Sequence, residues 1–135
     1  MGKQGNNLLY EELSYKLRGC CFNVYNKLGF GHKEEIYQRA LAEEFKISNI
    51  VFEKEKSLPI KYNDKQIGNY RPDFVIEDKI VLEIKAVEFM PKIFEGQLVR
   101  YLKATNYQLG FLINFGSTKL QIIRKIWTPE YRPHG

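Results

Sequence analysis

Between Tyr70 and Val87 the chain carries two short apolar runs, Phe74-Val75-Ile76 and Ile80-Val81-Leu82, separated by Glu77-Asp78-Lys79. This is the pattern of a tight β-hairpin. Strand side chains alternate between faces, so Asp73 shares a face with Val75, and Glu83 and Lys85 share one with Val81 and Val87. The hairpin therefore predicts that Asp73, Glu83 and Lys85 meet on one face of strands that are otherwise nearly all apolar. Carboxylates and an ammonium are costly to desolvate unless they pair or bind a metal ion. Two readings satisfy that condition: a structural salt bridge from Lys85 to Glu83 or Asp73, and a catalytic metal centre.

A chain of 135 residues has room for a single core, so one domain is expected over 1–135, with its core at about 8–127. The Pro-containing tail 128–135 is expected to be loosely held. A hydrophobic fraction of 44% against 27% charged places the chain among globular proteins rather than disordered ones. No apolar run approaches the roughly 20 residues that span a bilayer. The first residues contain no signal-peptide apolar region, so the expectation is a cytoplasmic protein with no membrane partner. A formal charge of +5 permits nucleic acid as a partner without requiring it. Cys20 and Cys21 are adjacent and fit neither a disulfide framework nor a zinc site, and His32 and His134 are isolated. Both cysteines are expected as reduced core residues.

Leu9, Leu13, Leu17, Cys20, Cys21, Val24 and Leu28 recur at helical steps and predict a helix over 7–28, closed by Gly29. A second helix is expected from His32 to Lys46, with Ile36, Ala40, Leu41 and Phe45 inside. Strands follow over Val51–Tyr62, Gln66–Ile76 and Ile80–Val87. Pro91 signals a third helix, running to Thr105 with Ile93, Gln97, Leu98, Tyr101 and Leu102 at helical spacing and Asn106 as its cap. Leu109–Phe115 reads as a strand buried on both faces, and Leu120–Trp127 as a last strand. The order is α-α-β-β-β-α-β-β, an α/β chain of the α+β type with a central mixed sheet flanked by helices.

Phosphodiester hydrolysis needs an activated water, charge neutralisation at phosphorus and help for the leaving oxygen. Mg²⁺ takes few carboxylates and keeps several waters. Asp73 and Glu83 would supply ligands from adjacent strands, and Lys85 would stabilise developing negative charge. Glu34 and Glu35 open the second helix, where dipole compensation alone would favour them. Tyr37 and Leu41 extend the face of Glu34 toward the core, marking it as a third acidic contributor. Gln97 and Tyr101 lie four apart on one helix face, and the Gln97 amide would orient a water or a phosphate.

Gly31-x-x-Glu34-x-x-Tyr37, Arg71-Pro72-Asp73, Glu83-Ile84-Lys85-Ala86-Val87, Gln97-x-x-x-Tyr101-Leu102-Lys103 and Leu112-Ile113-Asn114-Phe115-Gly116 together resemble the GxxExxY proteins of the PD-(D/E)XK nuclease superfamily. The resemblance spans roughly residues 10 to 126. It implies a restriction-endonuclease-like core, Asp73 and Glu83 as Mg²⁺ ligands with Mn²⁺ as a substitute, and Lys85 as the catalytic lysine. It also implies Glu34 as the helix-borne acid and Gln97 as a supporting residue. The expected function is Mg²⁺-dependent nuclease action on DNA or RNA. The alternative is a non-catalytic nucleic-acid-binding or self-assembling protein on the same fold, with Lys92, Arg100, Lys103, Lys119, Arg124 and Lys125 available for phosphates. A homo-oligomer is also expected, with the apolar face of the first helix around Cys20 and Cys21 as one candidate interface.

Overall fold

Helix α1 (Glu11–Leu28) follows its apolar stripe, burying Leu17, Cys20, Cys21 and Val24. It ends at Gly29, whose N–H bonds to the Tyr25 carbonyl at 2.8 Å. The structure, a computed structural model, describes residues 9–129. The expected helix start at residue 7 and most of the tail, 130–135, lie outside the described residues. Within the tail, Thr128 is buried. Both cysteines are free and buried. Their face of α1 packs inside the chain, so it is not available as the interface proposed for it.

Helix α2 (Glu34–Ile47) buries Tyr37, Leu41 and Phe45, four residues apart along one stripe. Ile36, expected inside, is 42% exposed. One residue turns a helix by about 100°, and the Tyr37 stripe is the one that meets the sheet.

The strands are β1 (Phe52–Lys54), β2 (Leu58–Tyr62), β3 (Lys65–Tyr70), β4 (Phe74–Ile76), β5 (Ile80–Lys85), β6 (Leu109–Asn114) and β7 (Gln121–Ile126), with α3 (Ile93–Thr105) between β5 and β6. The expected order holds, but each of the two long strands is divided in two. The first breaks at Glu55, whose φ is +52°. The second breaks at Arg71-Pro72-Asp73, where Pro72 has no N–H to give a ladder. The two breaks lie together, joined by the Glu55 N–H to the Asp73 carbonyl at 3.1 Å.

The division separates two sheets. Five strands form a mixed sheet in the order β1-β4-β5-β6-β7, with β5 and β6 parallel and the other pairs antiparallel. Strands β2 and β3 form a hairpin of their own, packed on α3. Positive φ at Asn63 and Asp64, and again at Glu77 and Asp78, gives both hairpins the backbone twist that suits right-twisted strands.

Phe74, Ile76, Ile80, Leu82 and Ile84 face α1 and α2. Val75, Val81 and Leu112 face Leu98 and Leu102 of α3 and Leu58 and Tyr70 of the hairpin. Leu109–Asn114 is buried throughout, as expected of a strand covered on both faces. Ile93, read from the sequence at helical spacing with Leu98 and Leu102, is 68% exposed, because the buried stripe of α3 begins a turn later at Leu98. Asn106 ends α3 at φ 65°. Among the described residues no helix is long and apolar enough to cross a membrane.

Candidate active site

The antiparallel register pairs Phe74 with Leu82, so Asp73 and Glu83 are the next facing positions where β4 begins and β5 nears its end. The Asp73 carboxylate accepts the Ile84 N–H on Oδ2 at 2.6 Å and the Gln38 amide on Oδ1 at 3.1 Å. Glu83 Oε2 accepts the Tyr70 hydroxyl. Tyr70 is in turn stacked on Tyr101 of α3, with ring centroids 3.9 Å apart and planes within 5°. Burial and the Glu83 charge push the Tyr70 hydroxyl up, which keeps it a donor.

Burial raises the affinity of this carboxylate pair for protons. Glu83 is pushed up to about 7, first by desolvation and then by the Asp73 charge, against the opposing Tyr70 hydrogen bond and Lys85. Asp73 is also raised by burial, against the Ile84 N–H and Lys85. The Asp73 charge adds to the proton affinity of Glu83, so the buried pair favours taking up a proton. A divalent cation can take the place of that proton.

Among the described residues Lys85 forms no ion pair with a carboxylate. Its ammonium lies 4.4 Å from the Phe94 ring centroid, while its charge still lowers the proton affinity of Asp73, Glu83 and Glu34. This differs from the salt-bridge reading, in which Nζ would sit on one carboxylate. Glu34 is the first residue of α2, and burial followed by the Asp73 charge raises its pKa. Gln97 lies with Glu83, Lys85, Phe94 and Tyr101 around a cavity of about 20 Å³. That volume holds one water.

Glu83, Lys85 and Gln97 thus line one cavity, Asp73 faces Glu83, and Glu34 feels the Asp73 and Lys85 charges, but the groups form no three-carboxylate cage. Among the described residues no three His, Cys, Asp or Glu side chains gather closely enough to ligate one ion. Asp73 and Glu83 alone suit Mg²⁺, which commonly uses one or two carboxylates and fills the rest of its shell with water.

The surrounding motif residues hold the frame. Gly31 has φ +105°, a conformation side chains other than glycine rarely adopt. The turn it makes is pinned by Tyr37, whose hydroxyl donates to the Gly29 carbonyl at 2.6 Å and accepts the His32 N–H at 3.1 Å. The Tyr37 ring stacks on Phe115 at 4.7 Å. Tyr37→Phe is expected to cost about 1–2 kcal/mol, read by denaturant unfolding, because it leaves the Gly29 carbonyl and the His32 N–H without that partner. An unchanged midpoint would show that water replaces the hydroxyl at no cost.

Two site residues escape a reading of the sequence. Gln38 is four residues after Glu34 and so shares its helix face, which was the available signal. Tyr70 offered none, because the break at Pro72 hides which way it points relative to Asp73.

A family model of the PD-(D/E)XK nuclease superfamily matches residues 11–126, and the chain belongs to this superfamily. The crystal structure of SSO0001 superposes with a TM-score of 0.54 at 24% identity, covering 68% of this chain and 48% of that one. The alkaline exonuclease LHK-Exo from Laribacter hongkongensis superposes with a TM-score of 0.52 at 13% identity, covering 71% of this chain and 57% of that one. This chain thus spans about half the length of either structure, and at such identities the likeness is one of fold. No curated protein matches the chain significantly.

Proposed function

We propose that the chain is a metal-dependent nuclease of the GxxExxY type, hydrolysing phosphodiester bonds in nucleic acid. Asp73 and Glu83 hold Mg²⁺, or Mn²⁺ in its place, while Lys85, Glu34 and Gln97 act on the reacting groups. The observation that carries this reading is the strand-end carboxylate pair, desolvated and at facing positions of β4 and β5, beside a lysine that pairs with neither. Such an ion supplies Lewis-acid activation of water and neutralises charge at phosphorus.

The protein's own groups divide the remaining work. Glu83 must shed its proton to receive the cation. Tyr70 keeps Oε2 oriented, and the Ile84 N–H fixes Asp73 so that the second oxygen of each carboxylate stays in register. Lys85 keeps its N–H donors off the carboxylates, available to a phosphoryl oxygen as negative charge develops. Gln97 borders the one-water cavity, where its amide orients a water or a phosphate oxygen. Glu34 sits at the positive end of the α2 dipole and exchanges protons with solvent at the edge of the site.

Stability against pH tests the pair without any substrate. The ordinary value for Glu83 is 4.5 and its folded value is about 7, so between them the folded state holds the extra proton. Stability therefore falls as pH rises from about 4.5 through 7, by up to about 3 kcal/mol for the metal-free protein. Urea unfolding in EDTA should show this slope, Glu83→Gln should flatten it, and Mn²⁺ should restore stability at pH 8. A flat profile together with no effect of Mn²⁺ overturns the metal site. A protein that binds nucleic acid without cutting it would instead show salt-dependent binding that survives Lys85→Ala, with no cleavage in any metal.

A further inference from the structure

Glu83 lies within β5, where strand pairing orients it, whereas Asp73 lies just ahead of β4, after the break at Pro72. The Asp73 backbone is held through its carbonyl, which accepts the Glu55 N–H at 3.1 Å. That bond does not decide where the carboxylate points. Two donors from different elements do so. The Ile84 N–H of β5 lies 2.6 Å from Oδ2, and the Gln38 amide nitrogen of α2 lies 3.1 Å from Oδ1.

Gln38 stands one residue past Tyr37, at the flank of the buried stripe of α2, and four residues after Glu34 on the same helix face. Helix α2 packs on β5, so the amide reaches the site from the helix layer. Tyr70 reaches Glu83 from the β2–β3 hairpin. Each strand-end carboxylate thus has a neutral side-chain donor of its own.

The chemistry of this donor is selective. An ionised carboxylate only accepts, so the amide must present its nitrogen to Asp73. Its carbonyl oxygen accepts from no described residue and is left to water. A lysine or arginine in this place would also hold Asp73, but its charge would oppose a divalent cation a few ångströms away. An acidic residue would repel Asp73. A neutral amide steadies the carboxylate without competing for its charge.

We propose that Gln38 is a positioning residue of the cation site, holding Asp73 Oδ1 from α2 so that the carboxylate meets the cation already oriented. The inference rests on the metal site of the nuclease reading and gives Gln38 a part in it. A carboxylate offers about four lone-pair positions, so Oδ1 can keep this hydrogen bond and still face a cation. Partners of this kind typically account for about 10–100-fold in metal affinity without touching the ion.

The test uses the full chain and Mn²⁺ alone at pH 8, with free Mn²⁺ read from its electron paramagnetic resonance signal. Gln38→Met keeps the length and helix propensity of the side chain and removes the donor. It should bind Mn²⁺ about 10–100-fold more weakly than wild type. Ile36→Ala, on another face of α2, should lower the urea midpoint yet keep the wild-type Mn²⁺ affinity, which separates positioning from helix stability. Cleavage by Gln38→Met should fall at limiting Mn²⁺ and recover at saturation, since the residue acts through the cation. Wild-type affinity in Gln38→Met, with binding lost in Asp73→Asn, overturns the positioning role and leaves the metal site standing. An equal loss of affinity in Ile36→Ala overturns it too, as does cleavage that stays low at saturating Mn²⁺. A wild-type chain that binds no Mn²⁺ overturns the metal site and this inference together.

Discussion

Lys85→Ala is expected to lower Mg²⁺- or Mn²⁺-dependent cleavage of nucleic acid about 10²–10³-fold, the usual loss when one donor to developing charge is removed. Thermal stability should barely change. The side chain forms no ion pair among the described residues, and its contact with the Phe94 ring is worth only about 0.5–1 kcal/mol. Glu83→Gln separates the two roles more sharply. The amide keeps an acceptor for the Tyr70 hydroxyl and removes the charge that burial disfavours. The variant should therefore lose cleavage and the response to Mn²⁺ while becoming more stable than wild type above pH 7. Asp73→Asn should behave alike, because its side-chain oxygen can still accept the Ile84 N–H. Cleavage assays on plasmid and single-stranded substrates, paired with melting curves, read both effects. Equal cleavage in wild type and all three variants would remove these residues from the mechanism.

The second large effect is structural. Gly116→Ala is expected to destabilise the fold by about 3 kcal/mol or more, at the upper end of what overpacking costs. A Cβ built there would lie 2.3 Å from the Val87 nitrogen and 2.4 Å from the Ala86 carbonyl carbon. Those atoms are backbone and have no rotamer to escape into. They are also held in place by Asn114, fully buried, whose amide oxygen accepts the Val87 and Gly116 N–H groups and whose nitrogen donates to the Val87 carbonyl and to Gln121. Ala86 and Val87 follow Lys85 directly, so residual folded protein should also cut poorly. Gly19→Ala is the control. Its Cβ meets nothing within 4 Å, and alanine in a helix interior should stabilise by about 0.5–1 kcal/mol. Urea midpoints that move alike in both variants would contradict the close approach.

Much of the site was legible because strand alternation is a strict rule. Glu83 and Lys85 lie on β5 and Asp73 directly precedes β4, the tight turn at Glu77 and Asp78 fixes the register, and Asp73 is the next position facing Glu83. Glu34 was legible from the lean of its helix face, and the buried run 109–115 from its unbroken apolarity. Helix rotation was harder to read. Ile36 looks like a core residue, yet which stripe turns inward depends on the partner surface, which no local pattern contains. The two long strands misled for a related reason. A proline and one residue at positive φ redirect the chain, and only the folded sheet shows that the pieces pair with different neighbours. Tyr70 was lost at that same redirection, and with it the hydrogen bond to Glu83.

The small β2–β3 hairpin stands outside the main ladder and meets the site through Tyr70, at its base, while residues 61–67 around its tip are exposed. Its two ends thus have different freedoms. The base is bound to the geometry of Glu83 and Tyr101. The tip can be lengthened, recharged or replaced without moving a reacting group. Such a chain can acquire new recognition by grafting at Asn63 and Asp64, leaving its chemistry as it stands.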